Sequence, residues 1–213
     1  MKLYSYFRSS AAFRVRIALG LKALEFETVP VNLVTGEQRG TGYLDKNRQG
    51  LVPALELDSG EILSQSTAIL EWLEETYPQP PLYPAASIAR ARIRALCQHI
   101  ACDIHPLNNL RVLFYLRDEL QQETESVNRW YSHWIQRGFD ALEIEVSQEN
   151  SLFSLGEQPG MFEAMLIPQM YNARRFNVSL NPYPHLVERE QRCLEHPAFA
   201  AAAPEAQVDA PPT

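Results

Sequence analysis

KLYSYFRSSAAFRVRIALGLKALEFETVPV, residues 2–31, is the stretch that decides the fold. Its two ends, KLYSYF (2–7) and FETVPV (26–31), are short, aromatic and β-branched, which suits strands. Between them RVRIALGLKAL has helical spacing, with Val15, Ala18, Leu19 and Leu21 on one buried stripe. Strand, helix and strand within about thirty residues make a βαβ unit, and a crossover helix implies parallel pairing. Outward from this unit, a charged, Gly-containing loop runs from Val34 to Gly50. Two short strands follow, ALEL (54–57) and EILS (61–64), and Asp58-Ser59-Gly60 between them fits a tight hairpin. A helix from about Ser66 to Tyr77 closes a small mixed sheet of order β-α-β, then β-β-α.

YPQPPLYPAA (77–86) holds four prolines in ten residues. Proline fixes φ and removes a donor, so this is a stiff linker and a domain boundary. Beyond it strand signals almost vanish, and helical patterning covers 87–119, 124–148, 160–177 and 184–196. The expected organisation is an α/β domain over 1–80, an all-α domain over 87–199, and a patternless, mobile tail over 200–213.

The 213 residues are 46% hydrophobic and 21% charged, enough for a real core and against wholesale disorder. A net charge of −7 argues against nucleic-acid binding or an electrostatic membrane footprint. An anionic ligand would therefore need a local arginine cluster. No apolar run approaches the length of a membrane span, and the amino terminus lacks a signal-peptide core, so a cytoplasmic protein is expected. Cys97, Cys102 and Cys193 read as reduced thiols rather than a disulfide framework. Neither the Cys97/Cys102 spacing nor that of His99 and His105 suits a metal, and no metal site is expected.

Three features carry possible chemistry. Arg8-Ser9-Ser10 lies between the first strand and its helix, where unpaired N–H groups favour anions. A serine there can donate its hydroxyl to a thiolate or oxyanion, or simply cap the helix. Val52-Pro53 opens a strand, as Pro must at a ladder's start; if the bond were cis, Val52 would be free to pair with an extended ligand. Gln65-Ser66 opens a second helix and reads either as a carboxylate site or as an ordinary cap. The third is CDIHPLNNLR (102–111), where Pro106 should kink an apolar helix beside His105, Asn108, Asn109 and Arg111. That cluster reads equally as a solvated face with a satisfied histidine. Arg174-Arg175-Phe176 is a further basic pair. Arg90, Arg92 and Arg94 read as a solvated face, and Arg14 and Arg16 as structural ion-pair partners.

An α/β half, a Pro-rich linker and a helical half resemble the cytosolic glutathione transferases, with a thioredoxin-like first domain. More specifically, the opening block resembles the zeta class, which includes the maleylacetoacetate and maleylpyruvate isomerases. The likeness continues through NRQGLVPAL, QSTAILEWLEETYP, CDIHPLNNLRVL and LIPQMYNARRFNVSLNPYP, almost the whole chain. The resemblance implies glutathione as cofactor, Ser9 as the hydroxyl that stabilises its thiolate, and Ser10 assisting. It implies that Val52, before a cis Pro53, pairs with the cysteinyl backbone, and that Gln65 and Ser66 hold the γ-glutamyl carboxylate. Gln38, His105 and Asn109 match further positions around the tripeptide. Arg8, Arg111 and Arg175 match arginines that bind the carboxylates of the substrate, Arg8 also acting beside the thiol. The implied reaction is cis–trans isomerisation of a maleyl keto-acid in aromatic catabolism, by a homodimer. The sequence departs from the family at Ala11, where cysteine is usual, at NRQ (47–49), and at Gly160-Met161-Phe162-Glu163, where a Thr-x-x-Asp box is usual. Two other readings stand beside the isomerase: a glutathione transferase acting on small α-halo acids, and a non-catalytic binding protein of the same fold.

Overall fold

A computed structural model describes residues 1–149 and 151–211. The chain divides into two units, Met1–Leu82 with the segment from Leu194 onward, and Tyr83–Cys193.

In the first unit the expected βαβ forms as β1 (Lys2–Ser5), α1 (Ser10–Leu21) and β2 (Glu27–Pro30). β1 pairs parallel to β2, Lys2 opposite Glu27 through Ser5 opposite Pro30. A short helix, α2 (Thr41–Leu44), interrupts the charged loop before β3 (Ala54–Glu56) and β4 (Ile62–Ser64). These are antiparallel neighbours, giving the order β2-β1-β3-β4. Gly60 turns the hairpin at φ +90, a backbone angle that suits glycine. α3 (Ser66–Thr76) follows.

α1 differs from the single-stripe expectation: every residue from Ala12 to Leu19 is buried, while Leu21 is only half-buried. The reason is that α1 packs against both α3 and α9 (Pro197–Ala202), so it has more than one inward face. A Cβ at Gly20 would approach the Ala198 Cβ to 3.1 Å, so the α1–α9 contact depends on small residues. Of the segment expected as a mobile tail, the described residues 200–211 carry structure. Phe199 and Ala202 are buried in α9, a turn over Pro204–Ala206 follows, and only residues 212 and 213 of that segment lie outside the described residues. Four alanines in the six residues of α9 carry no amphipathic signal, yet Ala198 and Ala202 are buried beside Phe199.

Arg16 was expected in an ion pair, and the structure gives it other partners. It donates to the carbonyls of Ala202 (2.9 Å) and Phe7 (2.9 Å) and to Ser5 Oγ (3.0 Å). Lys22 is buried and ion-paired: its Nζ meets Glu74 at 2.9 Å and also holds the carbonyls of Tyr77 and Pro80. The first part of the Pro-rich linker is thus pinned to its own unit.

The second unit is helical. The helical pattern over 87–119, with its expected kink at Pro106, resolves into α4 (Ser87–Gln98), a widened π-type segment His99–Ile104, a tight turn His105–Asn108, α5 (Leu110–Phe114) and a second π-type segment Tyr115–Glu119. Pro106, which lacks an N–H, sits in the tight turn. α6 (Thr124–Ser147), α7 (Met161–Arg175) and α8 (Pro184–Leu194) complete the unit. α7 is buried on almost every face and forms the centre. Its start is held by Glu163, fully buried, which accepts from the Gly160 N–H (2.7 Å), Ser154 N–H and Oγ, and Arg189 (2.9 Å). Gly160 has no side chain to return the bond, so only the reach-back half of a capping box exists. Arg90 and Arg94, expected as a solvated face, instead place their guanidinium groups 5.0 Å from the Tyr83 ring.

Candidate functional site

The β1 ladder ends at Ser5, and after four intervening residues α1 begins at Ser10. Ser9 is the N-cap: its backbone is extended (φ −67, ψ 113) and its Oγ accepts the Ala12 N–H at 3.2 Å. That bond uses an oxygen lone pair, so the hydroxyl proton remains to be donated. Ser10 is the first helical residue and is buried. Arg8 leans over Phe7 and Tyr6, its Cζ 5.2 and 5.9 Å from the ring centroids, and donates to Tyr6 Oη at 3.4 Å. Its Nε is buried without a partner among the described residues.

Across the sheet the Val52–Pro53 peptide bond is cis, and Val52 packs in one cluster with Tyr6, Val31 and Tyr43. The turn before it is tied down by Tyr43 Oη and Asn47 Nδ2, which both donate to the Leu51 carbonyl (2.6 and 2.7 Å). Gly50 has φ +62, and a Cβ there would stand 3.1 Å from the Gln38 carbonyl oxygen. Gln38 lies on a turn of 3-10 helix, Glu37–Arg39, and its Oε1 is buried with no partner among the described residues.

Gln65 is the N-cap of α3 and takes φ +68, a left-handed angle that a non-glycine residue adopts at a cost of about 1–3 kcal/mol. It makes no side-chain cap bond; its Nε2 donates to Gln49 Oε1 at 2.7 Å. Ser66 is not the cap that the sequence left open. It is the first helical residue, buried, and its Oγ accepts from Arg14 Nη1 at 3.3 Å. α1 and α3 are thereby joined close to both of their starts.

In the helical unit Asn109 caps α5, with Oδ1 accepting the Arg111 N–H at 3.2 Å and Nδ2 3.5 Å from His105 Nε2. Arg111 is exposed. Asn108, next to Asn109, is buried with both amide atoms unpartnered among the described residues, and the sequence distinguished it only as part of a polar cluster. The Arg174-Arg175 pair splits by role. Arg174 is held by Glu190, whereas Arg175 ends α7 with its Cζ 4.8 Å from the Phe176 ring. Phe176 stacks on Tyr131 with centroids 3.6 Å apart, and burial raises the Tyr131 hydroxyl pKa while the Arg175 charge opposes it.

Residues 8–76 match the family described as glutathione S-transferase, N-terminal domain. Over its whole length the chain is similar to the maleylacetoacetate isomerase of Pseudomonas aeruginosa, 45% identical across 213 residues and 99% of each protein. Among solved structures it is similar to a holo maleylpyruvate isomerase described as a bacterial zeta-class glutathione S-transferase. That likeness has TM-score 0.96 and 43% identity, covering 99% of this chain and 100% of that one. The chain belongs to the zeta-class glutathione transferase family. Another relative, the maleylacetoacetate isomerase of Methylobacterium extorquens AM1 with bound malonate and GSH, has TM-score 0.95 at 37% identity, with 100% of both chains covered.

Family membership gives the local geometry a test. A zeta-class ligand carries a thiol, two carboxylates and peptide groups. The first unit offers a hydroxyl proton at Ser9, two helix starts, a buried and unpartnered Gln38 Oε1, and a left-handed Gln65. This donor and acceptor set fits such a ligand. No group of three or more His, Cys, Asp or Glu side chains is placed to hold a metal among the described residues.

Proposed function

We propose that this chain is a glutathione-dependent cis–trans isomerase of a maleyl keto-acid, maleylacetoacetate or maleylpyruvate, acting in aromatic catabolism. The observation that carries the reading is Ser9, an N-cap whose hydroxyl proton is unspent, in a chain 45% identical over its length to a maleylacetoacetate isomerase. Bound glutathione supplies the thiolate that adds to the cis double bond and leaves once the resulting single bond has turned.

The chain's own residues bind and orient. Ser9 donates its hydroxyl proton to the sulfur, and Ser10 and the α1 start add the positive end of the helix dipole. Lowering a thiol of pKa about 8.5 by two units takes about 2.7 kcal/mol. A hydrogen bond to a charged group, worth about 1.5–3 kcal/mol, supplies most of it. The Val52 backbone pairs with the ligand's peptide group, Gln65 and Ser66 hold its γ-glutamyl carboxylate, and Gln38, His105 and Asn109 serve the rest of the tripeptide. Arg8, Arg111 and Arg175 bind the substrate's carboxylates, Arg8 also facing the carbonyl on which charge develops.

The reading includes a homodimer, with exposed Ile88 and Ile144 on α4 and α6 as apolar surface to cover. It includes a cytoplasmic location, in keeping with three cysteines that form no disulfide among the described residues, of which Cys193 is an inert thiol whose pKa burial raises.

The test is incubation with maleylpyruvate, with and without glutathione, following loss of ultraviolet absorbance. Glutathione-dependent isomerisation is expected, and Arg111→Ala should raise KM for a diacid far more than for a neutral electrophile. Glutathione binding with turnover of α-halo acids alone would make the chain a transferase. Binding with no turnover would make it a binding protein. No glutathione-dependent change, together with no glutathione binding by calorimetry, would end both enzyme readings.

A further inference from the structure

The loop that carries Arg8 and Ser9 has little holding it from the sheet. The β1 ladder stops at Ser5, and within Tyr6–Ser9 one backbone hydrogen bond closes the turn, Ser9 N–H to the Tyr6 carbonyl at 2.9 Å. What holds the middle of the loop comes from the far end of the chain. The Phe7 N–H donates to Asp209 Oδ2 at 2.9 Å, a contact spanning 202 residues of sequence. On the other side of the same residue, the Phe7 carbonyl accepts from Arg16 Nη2 at 2.9 Å. Arg16 in turn reaches the carboxy-terminal segment through the Ala202 carbonyl.

The segment is shaped for this reach. Gln207 Nε2 donates to the carbonyls of both Ala201 and Ala203 (2.9 Å each), and the Ala210 N–H returns to the Gln207 carbonyl at 3.0 Å. These bonds curl the chain after α9 so that residue 209 returns to Phe7. Asp209 Oδ1 is buried and unpartnered among the described residues. A neutral side chain would serve Phe7 without that desolvation cost. The charge finds its counterpart in Arg16, on which Asp209 acts electrostatically.

We propose that Asp209, together with Arg16, is a positioning residue for Ser9: Asp209 of the carboxy-terminal segment and Arg16 of α1 clamp Phe7 from its two sides, holding the hydroxyl where a bound thiol needs it. The proposal rests on the assignment of Ser9 as the thiolate's donor. It makes residues 202–209 part of the active-site scaffold, although they touch none of the reacting atoms.

Three full-length proteins test it: the wild type, Asp209→Ala and Asp209→Asn. Both variants lose the charge, but the asparagine keeps an oxygen for the Phe7 N–H, so their difference isolates the clamp. The readouts are the ultraviolet thiolate absorbance of bound glutathione as a function of pH, and the melting temperature. Asp209→Ala should require a pH about one unit higher than Asp209→Asn for the same thiolate fraction, a tenfold effect. The two melting temperatures should agree to within a few degrees. Coincident titrations of the two variants would overturn the proposal. In the wild type, amide hydrogen exchange at Phe7 should be slow, as for a bonded N–H; exchange at the rate of an open loop would overturn it even if neither variant folds. If wild-type protein binds glutathione and shows no depressed thiol titration, the assignment of Ser9 fails and this proposal falls with it. A depressed titration in wild type with no difference between the variants removes the clamp alone.

Discussion

Replacing Ser9 by alanine and, separately, by glycine divides two tasks that one side chain performs. Ser9 Oγ accepts the Ala12 N–H at 3.2 Å, closing one of the open donors at the start of α1. Losing an N-cap serine to alanine costs about 0.5–2 kcal/mol, and to glycine only a few tenths. For a chain of this size 1 kcal/mol corresponds to about 2–4 °C in melting temperature. The alanine variant should therefore melt roughly 1–8 °C below wild type and the glycine variant within about 1 °C of it. The second task is donation of the hydroxyl proton to the bound sulfur, worth about 1.5–3 kcal/mol and lost equally in both variants. That converts to about one to two pKa units on the bound thiol. From a bound-thiol pKa of about 6.5 it lowers the thiolate fraction, and with it the isomerisation rate, about three- to twenty-five-fold at pH 7. The assay is the rate against pH beside a thermal melt. Equal and large rate losses with unequal melting temperatures are expected. A glycine variant that isomerises at the wild-type rate would refute the reasoning, because it lacks the hydroxyl while keeping the helix start almost unharmed.

Two further outcomes follow from the first unit's charged contacts. Lys22→Met leaves Glu74 buried without its cation and frees the Tyr77 and Pro80 carbonyls, so urea denaturation should show a loss of about 3–5 kcal/mol. A loss below about 1 kcal/mol would mean that the linker is not held through Lys22. Glu56 accepts from Lys46 Nζ (2.8 Å) and Tyr4 Oη (2.7 Å), and these bonds, Lys46 first, hold its carboxyl pKa below the usual value. A depressed carboxylate stabilises the fold above its unfolded pKa of about 4.3, and the contribution disappears as pH falls through the folded value. Glu56→Gln should therefore flatten the fall of melting temperature below about pH 4.3, and an unchanged acid limb would contradict this.

Much of the first unit was legible because its signals are local. Alternating strands, the Asp58-Ser59-Gly60 turn and the capping Ser9 are each read within a few residues, and each forms where the pattern puts it. The break at Pro106 was equally legible, since a missing N–H acts on its own turn. The candidate site was legible as residue types and through likeness to a family, but its geometry was not. Ser66 reads as a cap until Arg14, 52 residues away in sequence, is seen bonding its oxygen. Gln65 shows no sign of a left-handed backbone, because glutamine has no preference for one. Arg174 and Arg175 are alike in sequence, and only Glu190, brought beside one of them by the fold, makes them different.

The amino-acid sequence by itself determined the βαβ unit, the Pro-rich boundary, the helical second half and the cluster of serines and arginines that points to a zeta-class reading. The tertiary structure alone decided that α1 is buried from Ala12 to Leu19, that Arg16 serves backbone carbonyls, and that an alanine-rich, patternless end folds back onto the loop before Ser9. The physical reason is range. Periodicity, capping and turn chemistry act over a handful of residues and leave a trace in composition. A hydrogen bond between Phe7 and Asp209 is set by packing across the whole unit, and neither residue's neighbours in sequence carry any mark of it.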